Sequence, residues 1–165
     1  MSQGRVWKFS NDVDTDQIIP SQYLLLPTIG EMKAHTFEPV DAGFSEKVRA
    51  GDVIVAGENF GSGSSREQAP RVLKELGISA VVAKSFARIF FRNSINIGLP
   101  VLVCGGIYED VDTGDIIDID IGGGVIKSPK SDKQYQSTRL PEHIMRIIGA
   151  DGLIPYLNKA ANEGK

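Results

Sequence analysis

Three short apolar runs separated by two helical patterns constrain the fold of this chain more than any other feature. The runs at 53–56, 80–83 and 101–104 are rich in β-branched residues and have the length of buried strands. A helical pattern with apolar residues on one side lies at 68–76, and a second one covers 87–97. This strand–helix–strand–helix–strand order predicts parallel strands joined by right-handed crossovers.

The segments on either side of this unit follow other patterns. Residues 5–9 alternate between polar and apolar side chains, which predicts one more strand. Residues 115–121 alternate charged residues with isoleucine, and three glycines join them to 125–127. This arrangement predicts a hairpin with one wet face. Two short helical patterns begin at Pro141 and near Leu153. We expect one α/β domain over 1–165.

Charge and cysteine content exclude several classes of protein. Lys and Arg total 18 and Asp and Glu total 21, so the formal net charge is −3, and no basic cluster is available for nucleic acid or an anionic membrane. The longest uncharged stretch, 93–108, is too short and too interrupted by glycine and proline to span a bilayer. Without an apolar signal sequence, we expect a cytoplasmic protein. Cys104 is the single cysteine, which excludes an internal disulfide and a cysteine-only metal site.

A Gly/Ser-rich segment between the first buried strand and the following helix is the best candidate for a binding site. Ligands bind at the carboxyl ends of parallel strands, and successive Gly and Ser residues expose backbone N–H groups to an anion. Arg66 adds a planar fork suited to a carboxylate or phosphate. An alternative is structural, because Ser64-x-x-Glu67 also fits a helix capping box. Pro70 counts against that alternative, since proline belongs in a first turn and places the helix start near Gln68.

Three segments, in order along the chain, resemble the swivelling domain of the aconitase superfamily. They are DTDQIIP at 14–20, GSGSSREQAP at 61–70 and AKSFARIFFRN at 83–93. The chain length is similar to that of the free-standing small subunits of isopropylmalate-type dehydratases and homoaconitases. The resemblance implies an aconitase-type α/β fold with β/β/α layers, built from a mostly parallel βαβαβ core and a hairpin.

The resemblance also implies that this chain supplies half of an active site. In the family, a large subunit carries a [4Fe-4S] cluster on three cysteines, and the swivelling domain closes over the substrate. Members are hydro-lyases that move a hydroxyl group between adjacent carbons of a small di- or tricarboxylate through an unsaturated intermediate. Isopropylmalate-type members interconvert 2- and 3-isopropylmalate in leucine biosynthesis. We therefore expect no cofactor on this chain and a cluster-bearing partner. A non-catalytic anion-binding or regulatory module is the rival from another class.

Matching the family motifs residue by residue implies a role for each polar group. Ser64 matches the base, which acts as an alkoxide and needs N–H groups and a cation to stabilise it. Arg66 matches a ligand of the substrate carboxylate, and Ser65 a hydrogen-bond partner of the same group. Asp16 matches an aspartate that supports a catalytic histidine on the other subunit. The structural alternatives are a helix cap for Ser65, a turn former for Asp16 and a solvated surface charge for Arg66.

A compact apolar run after the acidic motif bears on substrate choice. Proline at 20 and at 27 argues against a helix here and predicts a shaped loop. In homoaconitase-like members this loop carries an arginine for a third carboxylate, whereas this chain has Leu24, Leu25 and Leu26. Apolar side chains suit an isopropyl or methyl group, which favours 3-isopropylmalate, with citramalate, dimethylmalate and the homoaconitase substrate as competitors. The alternative is that these leucines belong to the core.

Overall fold

Four parallel strands form one half of a seven-stranded sheet in the computed structural model, which describes residues 1–163. They are β1 (Ser2–Phe9), β2 (Val53–Ala56), β3 (Ala80–Ala83) and β4 (Val101–Val103), adjacent in the order β4-β3-β2-β1. All three pairings between them are parallel. The strands at 53–56 and 80–83 have the predicted bounds, and β4 ends one residue earlier than predicted.

The crossovers between these strands are helical, as the apolar pattern predicts. Helix α4 (Gln68–Glu75) connects β2 to β3, and helix α5 (Arg88–Asn96) connects β3 to β4. Each helix ends just before a glycine with a left-handed backbone, Gly77 at φ +85° and Gly98 at φ +78°. Side chains other than glycine rarely adopt this conformation, so both glycines stop their helices.

The other half of the sheet is antiparallel and begins on the free side of β1. Strand β5 (Ile116–Asp120) pairs with β1 and forms the predicted hairpin with β6 (Val125–Ser128). Strand β7 (Lys133–Gln136), paired with β6, was not predicted. Its sequence, Lys-Gln-Tyr-Gln, has one apolar side chain in four and lies at the edge of the sheet, so it lacks the apolar alternation by which a strand is recognised.

Two separate cores explain the layers. Along β2, Ile54 and Ala56 belong to a core shared with the helices. Val53 and Val55 point to the opposite face and belong to a second core, which includes Ile117 and other residues of the antiparallel half. The two halves of the sheet therefore pack against each other, while the helices cover the outer face of the parallel half. This is the predicted β/β/α layering.

The chain between β1 and β2 contains short helical turns that sequence patterns did not indicate. The expected loop at 23–26 is wrong in detail, because Ser21–Leu25 is a 3₁₀ helix. The prolines at 20 and 27 flank this helix without entering it, and Tyr23 N–H donates to the Pro20 carbonyl oxygen at 3.0 Å. Further short helices in this segment are α1 (Thr15–Ile18), α2 (Ile29–Met32), α3 (Phe44–Lys47) and a 3₁₀ helix at Lys33–His35.

The chain beyond β4 contains the predicted C-terminal helices. A 3₁₀ helix at Gly106–Glu109 precedes the hairpin, and helices α6 (Glu142–Gly149) and α7 (Leu153–Glu163) follow the last strand. Within residues 1–163, every helix is too short or too polar to cross a membrane.

Candidate active site

The Gly/Ser loop leaves the carboxyl end of β2 and runs to the start of α4, where the sequence predicted a binding site. Gly61 has φ +80°, and a Cβ atom there would lie 2.2 Å from the Cγ atom of Phe90. Gly63 has φ +90°. Both the turn and the close approach of the loop backbone to the buried ring of Phe90 therefore require glycine. The loop backbone therefore packs directly on α5 at Phe90.

The acidic motif packs alongside this loop, although the two segments are far apart in sequence. The N–H of Gly61 donates to the Val13 carbonyl oxygen at 2.7 Å, and the N–H of Thr15 donates to the Ser62 carbonyl oxygen at 2.8 Å. Asp14 and Ser62 form an isolated parallel bridge. The main chain thus joins two of the three motifs into one surface.

Ser64 is exposed on this surface and does not cap a helix. Helix α4 starts at Gln68, its N-cap residue is Glu67, and no side chain caps it. The capping-box interpretation of Ser64 and Glu67 is therefore wrong, and so is a helix-cap role for Ser65. Ser64 and Ser65 lie one turn before the helix, with their side chains open to solvent.

Thr15 contacts Ser64, a neighbour that sequence reasoning missed. The Thr15 hydroxyl oxygen is 3.2 Å from the Ser64 hydroxyl oxygen and 3.1 Å from the Ser64 carbonyl oxygen. Thr15 is 2% exposed, so its hydroxyl is behind Ser64 and away from solvent. A threonine between two aspartates in the motif was the available signal, but nothing in its spacing predicted this contact.

Arg66 and Asp16, both predicted site residues, form an ion pair. One guanidinium nitrogen of Arg66, Nη1, donates to Asp16 Oδ1 at 2.7 Å and to the Ile19 carbonyl oxygen at 2.9 Å. The hydrogen bond from Arg66 lowers the pKa of Asp16, and the backbone N–H of Ser21 adds to this effect by donating to the same carboxylate. The Arg66 side chain is 18% exposed and that of Asp16 is 59% exposed. Asp16 therefore orients the arginine while most of its carboxylate stays accessible.

The backbone beside these side chains is suited to an anion. Within residues 1–163, the N–H groups of Ser64 and Ser65 have no hydrogen-bond acceptor. They precede the amino end of α4, where the helix dipole contributes partial positive charge. Free N–H donors, two serine hydroxyls and an oriented guanidinium can bind a carboxylate and stabilise negative charge on a serine oxygen.

The three leucines predicted to contact substrate lie in different environments. Leu25, in the last turn of the 3₁₀ helix, is 90% exposed. Leu24 and Leu26 are partly buried and pack against the core that the helices share with the sheet. This helix directly follows Ile19 and Pro20, so its position relative to Arg66 is fixed by the bond from Arg66 to the Ile19 carbonyl.

The described residues lack a cluster of metal ligands. Among residues 1–163, no three His, Cys, Asp or Glu side chains are placed to hold a metal ion. Cys104 follows β4 and is buried, and burial raises the pKa of its thiol. A buried thiol of raised pKa is a poor thiolate ligand. The residues present do not fit an iron–sulfur cluster.

The fold is an α/β fold of the aconitase type, and comparison with known proteins agrees. The family model of the aconitase C-terminal domain matches residues 27–104. A crystal structure of a 3-isopropylmalate dehydratase from Methanocaldococcus jannaschii superposes with a TM-score of 0.92 and 44% identity, covering 98% of this chain and 96% of that one.

The names of similar proteins identify the family within this class. The chain is 50% identical over 161 residues to a 3-isopropylmalate dehydratase small subunit of Methanosarcina mazei, covering 98% of this chain and 99% of the relative. It is 48% identical to an isopropylmalate/citramalate isomerase small subunit of M. jannaschii, covering 99% and 97%. The chain belongs to the 3-isopropylmalate dehydratase small-subunit family of the aconitase superfamily, and it is a subunit of a hydro-lyase. The predicted fold class and family are confirmed.

Proposed function

We propose that this chain, with a cluster-bearing large subunit, interconverts 2-isopropylmalate and 3-isopropylmalate in leucine biosynthesis. The observation that carries the proposal is the surface on which exposed Ser64 and Ser65 lie beside Arg66, which Asp16 orients. The names of the relatives at 48–50% identity support the same substrate. We place the assembled enzyme in the cytoplasm.

Each polar residue of the site has a distinct task in this reaction. Ser64, as an alkoxide, removes a proton from the carbon next to a carboxylate of the substrate. Arg66 binds that carboxylate with the guanidinium edge that Asp16 leaves open, and Ser65 donates a hydrogen bond to it. The free N–H groups of the loop stabilise negative charge on Ser64 and on the substrate. Asp16 holds Arg66 in place and, in the assembled enzyme, supports a histidine of the large subunit.

Removal of the hydroxyl group requires chemistry that this chain does not supply. We propose that the large subunit holds the [4Fe-4S] cluster, which would supply Lewis-acid chemistry for the departure of the hydroxyl group. This chain then forms the other wall of a site that is complete only in the complex. The described residues fit this division because they provide a base and carboxylate ligands but no metal-ligand cluster.

Leu25 is the residue that we propose to contact the variable group of the substrate. Its side chain is 90% exposed, although exposing a large apolar group to water is unfavourable. A branched alkyl group held between the two subunits would cover it. Leu24 and Leu26 would support this wall from the core side.

Citramalate is the second candidate substrate. One relative, 48% identical, is named as an isomerase of both isopropylmalate and citramalate. Citramalate carries a methyl group in place of the isopropyl group, and an apolar wall accepts both. A third carboxylate beside Leu25 would lack a cationic partner, which disfavours a homoaconitase substrate.

The test is reconstitution with a purified large subunit. The chain alone should bind no iron and show no turnover, whereas the mixture should interconvert the isopropylmalates and, more slowly, convert citramalate. Turnover or stoichiometric iron in the isolated chain would overturn the proposal. A mixture that binds isopropylmalate without converting it would instead support a non-catalytic anion-binding module.

A further inference from the structure

A buried hydroxyl group lies directly behind Ser64, and the mechanism proposed above does not use it. Thr15 Oγ1 is 3.2 Å from Ser64 Oγ and 3.1 Å from the Ser64 carbonyl oxygen. Thr15 is 2% exposed, whereas Ser64 is exposed on the open side of the site. The Ser64 hydroxyl thus faces solvent on one side and a shielded donor on the other.

The main chain fixes the position of this donor. The N–H of Thr15 donates to the Ser62 carbonyl oxygen at 2.8 Å, and its carbonyl oxygen accepts from the N–H of Ile19 at 3.0 Å. A β-branched side chain also has few rotamers available in a helical turn. The Thr15 oxygen atom is therefore already in place when Ser64 changes its protonation state, so the new hydrogen bond requires no heavy atom to be ordered.

The Thr15 hydroxyl has one proton and two possible acceptors at nearly equal distances. Its hydrogen bond can therefore change partner when the charge of Ser64 changes. While Ser64 is a neutral hydroxyl, Thr15 can donate to the Ser64 carbonyl oxygen and accept from the Ser64 hydroxyl. Once Ser64 has lost its proton, the Thr15 proton can turn to the negative Ser64 oxygen, where the hydrogen bond is stronger. Rotation of one hydroxyl group is sufficient, and no heavy atom has to move.

We propose that Thr15 is a positioning residue that donates its hydroxyl hydrogen bond to the deprotonated Ser64 and so makes Ser64 usable as a base. The inference rests on the proposed role of Ser64. Ser64 releases its own proton to solvent before the reaction. It then takes the proton from the substrate carbon, and the electron pair of the broken C–H bond stays on the substrate. The Thr15 proton returns to the Ser64 carbonyl oxygen.

The experiment compares Thr15→Val, which keeps the shape and removes the hydroxyl, with Thr15→Ser, which keeps the hydroxyl, in the complex with the large subunit. Thr15→Val should lower kcat for 3-isopropylmalate about 100-fold, the effect of removing one preorganised donor, while KM changes less than about twofold. The pH at which kcat reaches half its maximum should rise by about one unit, because a base that lacks this donor is harder to deprotonate. Thr15→Ser should restore kcat to within about fivefold.

Thr36→Val is the matched control. Thr36 is 1% exposed, and its hydroxyl has no hydrogen-bond partner within residues 1–163, so this variant removes an equally buried hydroxyl that makes no hydrogen bond to Ser64. Its kcat and pH profile should equal those of the wild type. If Thr15→Val does not assemble with the large subunit, Thr15→Cys replaces it, because a thiol has similar size but donates weakly.

Ser64→Ala, measured in parallel, separates this inference from the proposed function. Inactive Ser64→Ala together with a Thr15→Val of unchanged kcat and pH profile would overturn the role of Thr15 alone. Full activity in Ser64→Ala would overturn the base assignment and the inference with it. A loss in Thr15→Val that Thr15→Ser does not restore would show that the hydroxyl is not the group that matters.

Discussion

Two arginine–aspartate pairs lie at opposite ends of the parallel half of the sheet, and each has an N–O distance of 2.7 Å. At the amino end of β2, Arg5 binds an Asp52 side chain that is 6% exposed. At the carboxyl end, Arg66 binds an Asp16 side chain that is 59% exposed. The two ion pairs therefore have the same N–O distance, but the carboxylate of Asp52 is buried and that of Asp16 is exposed.

The hydrogen bonds of the two carboxylates differ in the same way. Asp52 Oδ2 accepts from Arg5, from the Trp7 indole N–H at 2.8 Å and from the Arg49 backbone N–H at 2.9 Å. These bonds leave the carboxylate enclosed by the protein, which is typical of a group that fixes the fold. Asp16 Oδ1 accepts hydrogen bonds from Arg66 and from the backbone N–H of Ser21, and the carboxylate remains open to solvent. The first pair is enclosed by the fold, and the second holds the arginine that we propose to bind the substrate carboxylate.

Removal of the Ser64 hydroxyl should give the largest effect at the carboxyl end. Ser64→Ala in the complex should lower kcat by about 1,000-fold, because a general base contributes roughly 10²–10⁴-fold. Ser79, whose hydroxyl donates to the Gly51 carbonyl at the amino end, is the matched control, and Ser79→Ala should keep the wild-type kcat. Steady-state kinetics and thermal melting of both complexes check this. Near-normal kcat in Ser64→Ala with a lowered melting temperature would mean that Ser64 is structural.

For stability, in contrast to activity, we expect the larger effect at the amino end of the strands. Asp52→Asn should lower the free energy of unfolding by about 2 kcal/mol, since it removes one partner of a buried, hydrogen-bonded pair. Asp16→Asn should cost less than about 1 kcal/mol, because its carboxylate is mostly exposed. Denaturant unfolding of the isolated chain measures both. Equal losses in the two variants would contradict the comparison.

The pH dependence of that difference provides a second check. Burial opposes ionisation of Asp52, but hydrogen bonds from Arg5, Trp7 and Arg49 outweigh it and lower the pKa. A carboxyl group of lowered pKa stabilises the fold fully above its unfolded pKa of about 3.9 and loses that contribution as the pH falls through its folded pKa. The stability gap between wild type and Asp52→Asn should therefore be constant above about pH 5 and shrink below about pH 4.

The sequence predicted the repetitive parts of the fold better than the contacts of the site. Apolar β-branched runs and stop glycines located β2, β3, α4 and α5, because burial and backbone geometry act on neighbouring residues. Strand β7 has no such pattern. The pairing of Asp16 with Arg66 joins residues 50 positions apart and depends on the turn at α1. Motif resemblance selected the site residues, but only the folded chain revealed Thr15 behind Ser64.

Replacement of Arg66 tests whether the Arg66–Asp16 pair binds a ligand. Arg66→Lys should raise KM for 3-isopropylmalate about twentyfold, because one ammonium group cannot hold Asp16 and also present a fork to the substrate carboxylate. Arg5→Lys is the counterpart at the amino end and should leave KM unchanged. Substrate titrations of the two complexes give both values. An unchanged KM in Arg66→Lys would assign Arg66 to structure, like Arg5.

The smallest effect, and the most specific, concerns Leu25 in the 3₁₀ helix that follows Pro20. Leu25→Arg should lower kcat/KM for 3-isopropylmalate about tenfold, because the loss of apolar contact with a branched alkyl group is worth about 1–3 kcal/mol. It should also raise kcat/KM for a tricarboxylate-like substrate such as homoaconitate. That gain should be smaller than the loss, since an arginine covered by the large subunit without a partner is unfavourable.

Leu26→Arg is the control that separates substrate contact from core packing. Leu26 packs against the core, whereas Leu25 is 90% exposed, so Leu26→Arg should lower the melting temperature and Leu25→Arg should not. A change of the substrate ratio in Leu25→Arg alone would assign specificity to the exposed leucine. If neither variant changes the ratio of kcat/KM for the two substrates, the leucines serve the fold only. The preference for isopropylmalate then has to come from the large subunit.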